Sequence, residues 1–264
     1  MMTKSTDEFI PVYGPVKSWR YGRSLGIDPI GKISTCSFNC VYCQLGEIQQ
    51  KTSDRLIYVP TEEILLELEK FAPWDVDIIT LSGSGEPTLA LNLQEIIQET
   101  KKLTNKPILV LTNGTTLTNP EVRLALNLAE RVSIKIDAIN QRQLQGINRP
   151  AETFNLSDIW EGIQEFREKY QGKLAIQTMI LSPWNPQTRA EYINLIKSLK
   201  PDEIQLNTPT RPKPLKHQLD ARGNHTEFHP YAVQKLKCVN QDILEEFADE
   251  IYKNTNIPVR YKQK

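Results

Sequence analysis

The sequence contains no run of about 18 apolar residues, the length a helix needs to cross a bilayer, so no membrane span is expected. It has no excess of either charge. Its 32 Lys and Arg stand against 32 Asp and Glu, and a chain so balanced carries no overall basic signal for nucleic acid. Histidine is scarce: only His217, His225 and His229, all in the last quarter. No histidine-based acid–base dyad is therefore expected among the earlier segments. The first residues, Met1 to Glu8, lack the apolar stretch of a signal peptide. No internal repeat or low-complexity tract is present. A cytoplasmic protein is the expectation. With only 4 cysteines in 264 residues, the fold must rest on a buried core, which a chain of this length can build without disulfides.

The few cysteines are concentrated. Cys36, Cys40 and Cys43 form a C-x3-C-x2-C triplet within eight residues. Three thiolates so close can hold three irons of a [4Fe–4S] cubane. The fourth iron is left without a cysteine, and an open metal position suits a catalytic site better than a structural one. The alternative is a zinc-stabilised binding protein, with Cys238 or one of His217, His225 and His229 as fourth ligand. Zinc sites usually show paired C-x2-C knuckles, and here only one pair has that spacing.

From Ser24 onward, short β-rich runs alternate with amphipathic helical patterns, the mark of parallel β/α units. Six such strands are expected: 24–30, 76–81, 107–111, 132–136, 174–181 and 203–207. A closed eight-strand barrel would need ~250 residues for itself, so an open six-strand β/α barrel fits. Asn155 or Ser157 should cap the helix that follows the fourth strand. A last helix over 239–253 carries an apolar stripe of Val239, Ile243, Phe247 and Ile251, and 257–261 reads as a short strand. Polar groups at the C-terminal ends of such strands mark where ligands bind. They are Ser84-Gly85-Glu86, Asn113, Asp137, Gln177 and Asn207. Alternation puts Ser133, Lys135 and Asp137 on one face.

The triplet is the signature of the radical S-adenosylmethionine (SAM) superfamily, which the chain resembles from Pro11 to Pro212. Three flanking words resemble the wyosine-related iron–sulfur oxidoreductase group: Tyr13-Gly14-Pro15-Val16, Gly22-Arg23-Ser24-Leu25-Gly26-Ile27-Asp28 and Gln44-Leu45-Gly46. The resemblance implies an α/β fold, the open (partial) six-strand barrel, in residues 21–210. An N-terminal segment, 1–20, precedes it, and a loop-and-helix extension, 211–264, packs on it. It implies that Cys36, Cys40 and Cys43 hold a [4Fe–4S] cluster whose open iron binds SAM. Tyr42 would lie near the adenine, and Ser84, Gly85 and Glu86 stand where the family has a Gly-Gly-Glu word for the SAM amino group. Asn113 would lie near the methionine, Ser133 or Asp137 near the ribose, with Gln177 on the fifth strand. An electron donor such as ferredoxin or flavodoxin would drive SAM cleavage to a 5′-deoxyadenosyl radical that takes hydrogen from substrate. Lys135 is the inward lysine nominated to meet that substrate, whether RNA, peptide or small molecule. The basic run Arg211 to His217 reads as a solvated loop.

Overall fold

A computed structural model describes residues 9–151, 154–223 and 231–262. Two strands come first, β1 (Val12–Ser18) and β2 (Gly22–Ile27). Helices and strands then alternate: α1 (Thr61–Glu69), β3 (Ile78–Leu81), α2 (Leu93–Thr104), β4 (Ile108–Thr112), α3 (Pro120–Leu126), β5 (Arg131–Lys135), α4 (Leu156–Lys169) and β6 (Lys173–Met179). The series ends with α5 (Pro186–Leu199), β7 (Glu203–Asn207), α6 (Gln241–Thr255) and β8 (Val259–Tyr261).

The eight strands form one sheet in sequence order. β2 to β8 are parallel, and β1 pairs antiparallel with β2. The six expected parallel strands are β2 to β7, and the sheet gains one strand at each edge. β1 was not anticipated, because its Gly14-Pro15 pair and a bulge between Tyr13 and Val16 break the alternation a strand shows in sequence. The sheet curls into an open half-barrel. Arg260 on β8 donates to the carbonyls of Trp19 and Arg20 in the β1–β2 turn (2.9 and 3.1 Å), joining the two ends of the sheet.

Alternation along each strand sorts the side chains. Val132 and Ile134 on β5, Leu174 and Ile176 on β6, and Ile204 and Leu206 on β7 are fully buried in the main core. Their alternates Ser133, Lys135, Gln177 and Gln205 share the concave face, and register aligns Lys135, Gln177 and Gln205 across three strands. Two helix details differ from expectation. Asn155 caps α4 by position only; the first amide, Leu156 N, instead takes the side chain of Gln141 as acceptor (2.9 Å). On α6 the buried stripe is Leu244, Phe247, Ala248 and Ile251, because the helix starts two residues later than expected and leaves Val239 outside it.

Candidate functional site

Past β2 the chain enters the cysteine loop through Asp28, which is wholly buried. Its Oδ1 accepts from the amides of Ile30 and Gly31 (3.1 and 3.3 Å). Its Oδ2 accepts from the amide and hydroxyl of Ser84 (2.9 and 2.6 Å) and from Arg222 (2.7 Å). Burial pushes the Asp28 carboxyl up, and Arg222 offsets part of that. One side chain thus ties the loop entrance, the turn after β3 and the C-terminal region together.

Thr35, just before the first cysteine, runs in parallel with the turn after β3. Thr35 N donates to Ser84 O (3.1 Å) and Glu86 N to Thr35 O (3.0 Å). A Cβ at Gly85 would lie 1.6 Å from Thr35 O, so this close approach admits only glycine. Ser84 is spent on Asp28 and Thr35. Backbone groups alternate along an extended segment, so the N–H and C=O of Gly85 face away from Thr35.

Glu86, which precedes the 3-10 turn Pro87–Leu89, is buried and accepts four hydrogen bonds. Oε1 takes Thr88 N (3.2 Å), Thr88 Oγ1 and Thr112 Oγ1 (both 2.6 Å), and Oε2 takes Asn113 N (2.7 Å). Burial pushes its pKa up, and these donors oppose the shift. Asn113, held in this way, donates to Ser37 Oγ (2.8 Å) and lies 3.6 Å from Cys36 Sγ, while its Oδ1 accepts from Thr115. Asn113 is therefore committed to shaping the cysteine loop.

Cys40 is buried among donors. Lys135 Nζ lies 2.8 Å and Asn148 Nδ2 3.6 Å from its sulfur. Asp137, at the end of β5, gathers this side of the site. It accepts from Met179 N (2.8 Å), Asn148 Nδ2 (2.9 Å), Lys135 Nζ (3.0 Å) and the Tyr42 hydroxyl. The Lys135 ammonium sits between the rings of Phe38 and Tyr42, 5.4 and 5.0 Å from their centroids. Burial works to lower the Lys135 pKa, but Asp137 and Cys40 outweigh it and hold it well above the ordinary lysine value. The loop backbone is clamped by the helical turn after β5: Val41 N donates to Ile147 O and Asn39 N to Asn148 O, both at 2.9 Å.

Cys43 closes the loop with a turn, its amide donating to Cys40 O (3.0 Å). Lys213, itself buried, is near enough to favour the Cys43 thiolate. Burial pushes the thiol of Cys36 up and that of Cys43 up to about 11. All three cysteines are free of disulfides.

The donor set suits a cubane: three thiols in one buried loop, with N–H groups at two of the sulfurs. Among the described residues no three His, Cys, Asp or Glu side chains converge on one point, as ligands of a single ion do; a cubane asks its three cysteines to reach three different irons. Cys238 is exposed, its thiol directed at Pro209 O (3.3 Å), and His217 lies half-buried beside Leu45. His225 and His229 lie outside the described residues.

Of the other sequence-predicted residues, Ser133 bonds to the Tyr21 hydroxyl (2.5 Å), which also accepts from Gln205 (2.7 Å), deeper in the half-barrel than the cysteine loop. Gln177 Nε2 is buried with no hydrogen-bond partner among the described residues. Sequence reasoning gives no site role to Asp28, Tyr21 or Asn148. Asp28 had a signal, since it closes the word that begins at Gly22. Asn148 had none, because Cys40, whose sulfur it faces, lies 108 positions away in the chain.

The radical SAM superfamily model matches residues 31–196. A UPF0026 protein of Synechocystis sp. is 56% identical over 255 residues, 96% of each chain. A UPF0026 protein of Methanocaldococcus jannaschii is 34% identical over 206 residues, 76% of this chain and 64% of its own. Among solved structures, Streptococcus suis SuiB bound to precursor peptide SuiA superposes with a TM-score of 0.63 at 14% identity over 89% of this chain. This chain covers 48% of SuiB, about half its length. SuiB bound to S-adenosylmethionine gives a TM-score of 0.61 at 14% identity over 87% of this chain and 48% of SuiB. With the family model spanning more than half of its length and a near relative aligned almost end to end, the chain belongs to the radical SAM superfamily and to the UPF0026 family.

Proposed function

We propose that this chain is a radical SAM enzyme in which Cys36, Cys40 and Cys43 hold a [4Fe–4S] cluster. The observation that carries the reading is the cysteine loop itself: three free thiols, N–H donors at the Cys36 and Cys40 sulfurs, and backbone clamps on both sides. When bound, the cluster and SAM supply a one-electron cleavage that yields methionine and a hydrogen-abstracting 5′-deoxyadenosyl radical, the electron coming from a donor such as ferredoxin or flavodoxin.

The chain's own residues orient and exclude. Gly85 brings the turn after β3 against the cysteine loop and leaves its backbone groups turned outward for the SAM amino group. Glu86 and Asn113 fix the loop from below. Phe38, 3% exposed, keeps water from the sulfur side, and cluster potential depends on such shielding. Asp137 holds Tyr42 at the position assigned to the adenine. Gln177, with its side-chain NH2 on the concave face, is the residue best placed to donate a hydrogen bond to SAM or substrate. A buried polar group left unmatched costs about 1–3 kcal/mol, which favours a ligand acceptor there.

Substrate identity belongs to the same proposal at a coarser grain. The peptide in SuiB and the resemblance to wyosine-related enzymes make peptide and RNA the first classes to try, with small molecules beside them. The test is anaerobic reconstitution with iron and sulfide, then reduction with SAM and assay for 5′-deoxyadenosine. The native chain should produce it and Cys40→Ala should not. A native chain fully loaded with four irons that neither binds nor cleaves SAM would sink the reading.

A further inference from the structure

The lysine on the concave face is spoken for. Lys135 Nζ lies 2.8 Å from Cys40 Sγ and 3.0 Å from Asp137 Oδ2. Two aromatic rings flank it. Asp137 cannot swing away to release it, because Met179 N, Asn148 Nδ2 and the Tyr42 hydroxyl hold that carboxylate from three other directions. Asp137 itself is 1% exposed and the Lys135 side chain 23% exposed. A lysine that guides substrate needs an ammonium free to face the ligand, and one that reacts with it needs a neutral amine there. This one donates to a sulfur and is anchored by a buried carboxylate.

Resting on the cluster reading above, the geometry points to Lys135 as a positioning residue that raises the reduction potential of the cluster through Cys40. Hydrogen bonds to ligand sulfurs and the net charge around a cluster are the protein's main means of setting its potential. Reduction adds one negative charge to the cluster. An ammonium donating to one of its sulfurs stabilises that added charge more than it stabilises the oxidised form. Asp137 serves as the counter-ion that keeps the ammonium in place. The lysine thereby makes the electron easier to accept from a donor, with no contact to SAM or substrate required.

The test is an EPR-monitored redox titration of the reconstituted protein, with iron and sulfide counted in each sample. Lys135→Met should load its cluster and lower the ratio of reduced to oxidised cluster at fixed potential by about tenfold, a shift of ~59 mV for one electron. Lys135→Arg keeps the charge and the donor and should stay within threefold of the native ratio. If Lys135→Met fails to load, Lys135→Gln takes its place; it keeps a donor, drops the charge, and should fall between the other two. A loaded Met or Gln variant with the native potential overturns the inference and leaves the cluster reading standing. A native chain that takes up no four-iron cluster overturns both.

Discussion

At the scale of single residues, the site is governed by buried carboxylates that gather several donors each, and Glu86 does so with neutral donors alone. Glu86 shows the logic. Its two oxygens accept four hydrogen bonds, and one of the donors, Asn113 N, belongs to the residue that shapes the loop at Ser37 and Cys36. Glu86→Gln keeps the shape and swaps an acceptor for an NH2 group. That group must face either Asn113 N–H or the Thr88 and Thr112 donors, so at least one buried donor is left without a partner. The expected cost is about 1–3 kcal/mol, read by urea denaturation, together with a lower iron content after reconstitution. An unchanged midpoint and full iron would show that Asn113 is held by other means. Gly85→Ala is harsher. Its Cβ would stand 1.6 Å from Thr35 O, and backbone on both sides leaves little room to move. A loss of about 3 kcal/mol, the upper end of overpacking, is expected by the same denaturation. These contacts explain what was legible in advance. The Cys36, Cys40 and Cys43 spacing is local chemistry and can be read directly. Asn148 and Asp28 act on residues 108 and 56 positions away, and no spacing rule connects them.

At the scale of elements, β3 and β4 could be read as near-continuous apolar runs, because both of their faces are covered, and β5 to β7 by the apolar alternates Val132, Ile134, Leu174, Ile176, Ile204 and Leu206. The edge strand β1 has neither advantage, carrying a bulge and the Gly14-Pro15 pair. The helical turn after β5, Leu144–Asn148, is not among the elements read from the sequence. Apart from the Asn148 side chain, its task is backbone hydrogen bonding to the cysteine loop, which any sequence of suitable shape performs, so its residues advertise little. The turn ends at Arg149, whose amide donates to Leu144 O (3.0 Å) in the left-handed conformation, φ 49°. A non-glycine residue there costs about 1–2 kcal/mol, and glycine is the usual solution. The Arg149 side chain is exposed. Arg149→Gly should therefore stabilise the protein by about 0.5–1 kcal/mol once glycine's greater freedom in the unfolded chain is set against the relief. Cluster loading should be unchanged, since the clamps at Ile147 O and Asn148 O are backbone. A drop in stability would mean that the Arg149 side chain carries a contact of its own.

At the scale of the whole molecule, the half-barrel is closed at its base and open at the cysteine end. Tyr21 crosses from the β1–β2 turn to Ser133 on β5 and Gln205 on β7. Arg260 brings β8 to that same turn through the carbonyls of Trp19 and Arg20, and stands 5.9 Å from the Trp19 ring centroid. The segments outside the parallel core thus complete its base, while residues from the C-terminal region, Arg222 on Asp28 and Lys213 near Cys43, complete its mouth. Arg260 also pairs with Glu203 (3.3 Å), but its side chain is 41% exposed, and a pair so wet is worth under about 1 kcal/mol. The two carbonyl bonds carry more, since charged donors contribute about 1.5–3 kcal/mol where they are sheltered. Arg260→Met should cost about 2 kcal/mol in urea denaturation. Its clearer mark is spatial. Hydrogen exchange should quicken at the β1–β2 hairpin and at β8 and stay slow in β3 to β6, because those strands keep their neighbours on both sides. Uniform quickening across the sheet would mean that the base seam is part of one cooperative unit with the core, and that the half-barrel opens only by unfolding as a whole.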